Sequence, residues 1–151
     1  MLKKELTMAK TLFEGANFVT IDAVEHDKKI AVILGLTHLM NLVFANIISK
    51  DEKTMLTEKM SGTTFRVQKT LAEGIMTESP ELIETIIANP EIRRVAEELW
   101  KDIGRLLTAV QESKTDEVIE YVKECQERLA KHTDVDESYK RLAKMVKAVE
   151  K

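Results

Sequence analysis

An almost continuous apolar run, residues 30–48, constrains the fold of this chain more than any other feature. Only four polar residues interrupt the run, and these are Thr37, His38, Asn41 and Asn46. Asp22 and Glu25 precede it with the spacing of a helix N-terminal capping box. The sequence therefore predicts one long helix from about residue 22 to residue 49, apolar and buried on most of its sides.

The small and polar residues of this predicted helix share one face. On a helical wheel they fall within about 40° of a single line. They are Asp27, Ala31, His38, Asn41, Ala45 and Ser49. This stripe must face something particular, and His38 and Asn41 are its candidate functional residues.

Three interpretations of the stripe are open. In the first, the alanines admit a neighbouring helix, and His38 and Asn41 form hydrogen bonds inside the core. In the second, the stripe lines a pocket in which His38 and Asn41 bind a polar ligand. In the third, the helix spans a membrane, but four polar side chains in mid-span make insertion costly. We therefore expect no membrane role.

Apolar residues spaced three or four apart predict further amphipathic helices along the rest of the chain. Their predicted ranges are 2–14, 63–76, 80–88 and 90–113, followed by helices that begin near Thr115 and Asp134. Ser79-Pro80 and Asn89-Pro90 each place a capping side chain before a proline suited to the first helical position. Residues 50–62 are charged and broken, and they predict a short helix and a loop.

Residues 17–22 alternate around a β-branched centre and predict the one strand of the chain. A single strand needs a partner, so we expect it to pair with another copy or to belong to a sheet elsewhere. The predicted fold class is all-α, a helical bundle of about six helices with one short N-terminal strand.

Composition excludes several classes of protein. Basic and acidic residues number 23 and 26 and are well mixed, which argues against a nucleic-acid partner. Cys125 is the only cysteine and cannot form an internal disulfide, and the first residues lack the apolar core of a signal peptide. Both features predict a cytoplasmic protein. Glu25, His26 and Asp27 point about 100° apart on a helix, so we expect no metal site there.

Two sequence motifs resemble the C-terminal helical domain of prephenate dehydrogenases, in an archaeal-like form. Val24-Glu25-His26-Asp27 is similar to the Glu-His-Asp that opens the first long helix of that domain. Gly35-Leu36-Thr37-His38 is similar to the Leu-x-His that follows it. Looser matches are Glu78-Ser79-Pro80 and Asn89-Pro90-Glu91, before a long helix and a final helical hairpin. The resemblance covers roughly residues 10 to 130.

This resemblance implies a definite reaction and assembly. Enzymes of the family oxidatively decarboxylate prephenate to 4-hydroxyphenylpyruvate with NAD or NADP, on the way to tyrosine. Their helical domain forms an intertwined homodimer and supplies part of the substrate pocket. The Leu-x-His histidine lines this pocket and corresponds to His38, and Asn41 follows on the same stripe as the second candidate substrate-binding residue.

Parts of the family pattern are missing from this chain. No Gly-x-Gly-x-x-Gly segment for a dinucleotide is present, and the family's catalytic histidine lies in that other domain. Where many members carry an arginine that meets a substrate carboxylate, this chain reads Glu73-Gly74-Ile75, and Arg66 is the candidate substitute. We therefore expect no cofactor and no catalysis from this chain alone, and a separate dinucleotide-binding domain as a further partner.

The predicted organisation has two parts. Residues 1–22 are interpreted as the remnant of a dinucleotide-binding domain, and residues 23–151 as the helical domain that dimerises and contacts substrate. Two origins of the chain are open: it is either a domain excised from a longer enzyme or one encoded separately from its dinucleotide-binding domain. The alternative hypothesis is a free-standing helical scaffold or regulatory dimer that kept the fold without the chemistry.

Overall fold

Seven helices account for most of the chain that the structure describes. The computed structural model describes residues 2–50, 53 and 60–149. Its helices are α1 (Leu2–Leu12), α2 (Ala23–Ser49), α3 (Thr63–Ile75), α4 (Pro80–Ile87), α5 (Ile92–Gln111), α6 (Thr115–Ala130) and α7 (Val135–Val149). The predicted all-α fold is confirmed. The short helix and loop predicted for residues 50–62 fall mostly outside the described residues.

Three of the helices begin at an acidic or hydroxyl side chain that accepts a backbone hydrogen bond. The carboxylate of Asp22 accepts from Glu25 N at 3.0 Å, Ser79 Oγ from Leu82 N at 3.2 Å, and the carboxylate of Asp134 from Glu137 N at 2.9 Å. Each contact satisfies one of the backbone donors that a helix N-terminus leaves unpaired. The predicted starts of α2, α4 and α7 are confirmed.

The start of α5 differs from the prediction. Asn89 does not cap α5, because its side chain accepts from Glu91 N at 2.9 Å and donates to the Asp27 carbonyl at 3.0 Å. It thereby ties the turn between α4 and α5 to α2, and α5 begins two residues beyond Pro90. α6 begins at Thr115, in agreement with the start predicted near that residue.

The predicted strand at residues 17–22 is wrong for the single chain. These residues form neither helix nor strand. A strand requires a hydrogen-bonded neighbour, and within the described ranges no second strand exists to pair with this one.

α2 is the central helix and changes its winding where the apolar run begins. Residues Ala31–Leu36 form a π-helical segment, wider than the α-helical turns on either side. The N-terminal end of α5 packs against this segment, and Gly35 lies directly against the Ile92 side chain. A Cβ at position 35 would overlap Ile92, so the absence of a side chain there permits the close approach of the two helices.

The small and polar stripe of α2 faces the rest of the chain. Ala31, His38 and Asn41 are buried, and α3 packs along the second half of the helix, Thr37–Ser49. α6 packs on α5, and α7 packs on α3. The stripe is therefore covered where α2 meets α3.

The hydrophobic core of the single chain is small. Its buried apolar residues are Ala31, Val67, Ala72, Ile92, Val95, Ala109 and Val146. The chain exposes 12448 Å². A compact monomer of the same mass, 17.2 kDa, exposes only about 7,800 Å². The excess shows that a single chain leaves much more of its surface in water than a compact monomer of its mass.

The exposed surface includes apolar stripes on three helices. On α2 the stripe is Ile33, Met40, Val43 and Ile47; on α5 it is Trp100, Ile103, Leu107 and Val110; on α6 it is Ile119, Val122 and Leu129. We call these residues the exposed apolar face. The expectation that α2 is buried on most sides is wrong for one chain, because its polar stripe faces inward and its apolar side outward.

By length and composition, α2 is the one helix within the described residues that is long and apolar enough to cross a membrane. Its 27 residues have a mean hydropathy of 1.9 over the most apolar window. A core helix of a soluble protein has the same properties.

Candidate functional site

His38 is held at the interface between α2 and the turn that joins α3 to α4. Its side chain is almost fully buried, with 6% of its surface exposed. Nδ1 lies 2.8 Å from the Leu34 carbonyl oxygen, one helical turn earlier. Nε2 lies 3.1 Å from Oε2 of Glu78. Both ring nitrogens therefore face oxygen atoms of the chain itself.

Asn41 lies one turn further along the same face and is also fully engaged. Its Nδ2 donates to the Thr37 carbonyl at 2.8 Å, and its Oδ1 accepts from Nε2 of Gln68 on α3 at 2.8 Å. This pair joins α2 to α3 by a side-chain hydrogen bond. Only 3% of Asn41 is exposed.

Four residues thus form one polar cluster on the inner face of α2: His38, Asn41, Gln68 and Glu78. The structure brings together both of the sequence-predicted site residues and adds two partners that sequence analysis did not identify. Glu78 appeared there only as part of a turn motif, and no pattern singled out Gln68. Such pairs depend on how α3 and the α3–α4 turn pack onto α2.

Glu78 and His38 differ in their exposure to solvent. The Glu78 side chain is 33% exposed and stands on a turn, whereas the His38 side chain is enclosed by its own helix and its neighbours. In chemical terms the cluster offers one imidazole nitrogen, one carboxylate and two amides, a set suited to hydrogen-bonding a polar ligand.

Arg66, the candidate substitute for the missing arginine, does not join this cluster. Its Nε donates to Ser61 Oγ at 3.1 Å. Arg66 also precedes Gln68 by two residues, which places its side chain about 160° around α3 from the one that meets Asn41.

The other residues considered from sequence lie outside the cluster. His26 contacts its neighbour Asp27, with Nδ1 3.2 Å from the carboxylate, and both side chains are exposed. On the surface of α5, Arg93 and Arg94 pair with Glu97 and Glu98 one helical turn later, at 3.0 Å and 2.7 Å. Such exposed pairs contribute little to stability.

A comparison with protein-family models decides the family. Residues 22–124 match the model described as prephenate dehydrogenase, dimerization domain. The chain belongs to this family. The match begins at the Asp22 cap of α2 and reaches into α6, so it includes the polar cluster and most of the exposed apolar face. Searches of curated proteins and of solved structures gave no significant match.

Membership of the prephenate dehydrogenase dimerization-domain family confirms the resemblance seen in the motifs around His26 and His38. The family description indicates self-association, and the exposed apolar face is the candidate surface for it. α7 lies beyond the matched residues, and its packing on α3 is a feature of this chain rather than of the match. The ligand-binding role of His38 and Asn41 stays a prediction.

Proposed function

We propose that this chain is the dimerisation and prephenate-side domain of a prephenate dehydrogenase system. In this proposal two copies form an intertwined homodimer, and each contributes a site around His38 and Asn41 to the oxidative decarboxylation of prephenate. The observation that carries the proposal is the family match across α2 to α6, combined with the exposed apolar face of the same helices.

The dimer follows from the surfaces of the single chain. The exposed stripes of α2, α5 and α6 have the spacing at which helices pack lengthwise against other helices. Leaving so many large apolar side chains in water is unfavourable, at about 25 cal/mol for each Å². A second copy offers the same stripes in return and covers them by symmetry.

The substrate role follows from the chemistry of the polar cluster. Prephenate carries two carboxylates and a hydroxyl, groups that accept hydrogen bonds from an imidazole N–H or an amide. His38 and Asn41 carry such groups on α2, and the family resemblance implies that a histidine of this motif lines the substrate pocket. We assign these residues to binding and orientation and not to hydride transfer.

The nicotinamide cofactor does not fit the residues of this chain. A dinucleotide needs a glycine-rich turn before a helix N-terminus, and the five glycines of this sequence do not form one. In the proposal a dinucleotide-binding domain supplies NAD or NADP and the hydride-transfer step. The substrate site at His38 and Asn41, a role in tyrosine biosynthesis and a cytoplasmic location belong to the same proposal.

Isothermal titration of prephenate and of tyrosine tests the substrate role. We expect saturable binding of prephenate by the wild-type chain and its loss in His38→Ala, because the substitution removes the imidazole donor. His132→Ala is the matched control, since His132 is exposed near the end of α6 and should leave binding unchanged. Absence of heat with both ligands, from a well-folded dimer, would contradict the substrate role.

The second candidate function is a helical scaffold or regulatory dimer without substrate. The observation that favours it is the complete internal hydrogen bonding of His38 and Asn41, together with Glu73-Gly74-Ile75 in place of the family's arginine. Dimer formation without any prephenate or tyrosine binding would support this candidate.

A further inference from the structure

We propose that Glu78 acts as an internal ligand of His38, closing the polar cluster until the carboxylate of a bound molecule displaces it. This inference rests on the proposed substrate site and adds a step to it. The atom of His38 that is able to reach a ligand is already bound by a carboxylate of the chain itself.

The hydrogen bonds of the imidazole leave only one nitrogen for a ligand. Nδ1 points back along α2 and must donate to the Leu34 carbonyl, because a carbonyl oxygen only accepts. Any ligand of His38 must therefore meet Nε2. In the structure Nε2 meets Glu78 Oε2 instead, at 3.1 Å.

The contact between Nε2 and Glu78 needs one proton between the two atoms. A neutral imidazole that donates from Nδ1 has only a lone pair at Nε2, and an ionised carboxylate also only accepts. The contact therefore requires one proton shared between the imidazole and the carboxylate. It resembles the arrangement that a ligand carboxylate would make with the same nitrogen.

Displacement is possible because Glu78 is the mobile partner. His38 is buried and fixed by the Leu34 contact, whereas Glu78 is one-third exposed on the turn between α3 and α4. Rotation of the Glu78 side chain into water uncovers Nε2 without moving α2. The same rotation removes a negative charge that would repel an anionic ligand.

The test compares Glu78→Gln and Glu78→Ala with the wild-type chain in prephenate titrations. Because both variants remove the competing charge, we expect prephenate to bind about tenfold more tightly than to wild type. Glu84→Gln is the matched control, since Glu84 is exposed on α4 and the substitution makes the same change of charge. Equal or weaker binding by both Glu78 variants would overturn the proposal while leaving the substrate site intact.

Nitrogen NMR of the His38 ring separates this inference from the proposed function, because it needs no ligand. In the wild-type chain Nε2 should show a strong hydrogen bond, and in Glu78→Ala it should lose that hydrogen bond while Nδ1 keeps its contact with the Leu34 carbonyl. Identical ring spectra in the two proteins would overturn the internal-ligand proposal whatever prephenate does. If no protein binds prephenate but the ring spectra are as expected, the substrate site and the displacement of Glu78 by prephenate are both overturned. The contact between His38 and Glu78 in the ligand-free chain would still stand.

Discussion

Gly35 of α2 lies directly against the side chain of Ile92 at the start of α5, with no room for a Cβ between them. This contact sets how closely the two longest apolar elements of the core approach each other. It also lies in the π-helical segment that precedes His38 by one turn. The packing of α5 and the placement of the polar cluster are therefore linked through one glycine.

Substituting Gly35 tests that link. Gly35→Ala forces Ile92 or α5 to shift, so we expect a loss of about 1–3 kcal/mol in the free energy of unfolding, measured by urea denaturation. Gly74→Ala is the control, because nothing lies within 4 Å of a Cβ built at Gly74. That substitution should be neutral or stabilising, and equal losses in the two variants would refute the role of the close contact.

The Asn41–Gln68 hydrogen bond should couple α2 to α3. Removing either side chain leaves the other amide without its partner, so a double-mutant cycle with Asn41→Ala and Gln68→Ala should give a coupling of about 0.5–1.5 kcal/mol. The measurement is chemical unfolding of the wild type, the two single variants and the double variant. Additive effects would show that the contact contributes nothing to stability.

Trp100 reports on the exposed apolar face without any substitution. It is the only tryptophan of the chain and 79% exposed in the single copy. If a second copy covers α5, the emission of Trp100 should be blue-shifted and protected from iodide quenching. Dilution below the dissociation constant should then shift the emission to the red. A fully water-exposed emission at high concentration would place α5 outside the interface.

A charge placed within the exposed apolar face should break the dimer. Leu107→Asp on α5 would bury an unpaired carboxylate in the interface, so we expect the dissociation constant to rise at least about a hundredfold. The measurement is sedimentation velocity over a range of concentrations. Lys101→Glu is the matched control, because Lys101 lies on the same helix among exposed polar residues. Dissociation of both variants to the same degree would count against this interface.

Sequence patterns predicted the parts of the fold that local rules control. Three helix starts are fixed by a side chain that accepts a hydrogen bond from the backbone three residues later, at Asp22, Ser79 and Asp134. The small and polar stripe of α2 follows from helix periodicity alone. Local rules failed at Asn89, whose side chain bonds to the Asp27 carbonyl of a different helix. They also failed at residues 17–22, because a segment with strand propensity needs a second strand to pair with and the described residues contain none.

Sequence patterns identified two of the four residues of the candidate site. His38 and Asn41 stand out as polar residues in an apolar run, but Gln68 and Glu78 are ordinary polar residues in their own segments. Only the packing of α3 against α2 brings them within hydrogen-bond distance. The outward apolar side of α2 was also missed, because periodicity shows which residues share a face and not which face meets the chain's own core.

The mass of the chain in solution tests the central claim most directly. Light scattering after size exclusion, over a wide concentration range, should give twice the chain mass of 17.2 kDa. The dimer should persist to low concentration, because the exposed apolar face is extensive. A stable, well-folded monomer would contradict the account, since the apolar stripes of α2, α5 and α6 would then stand in water.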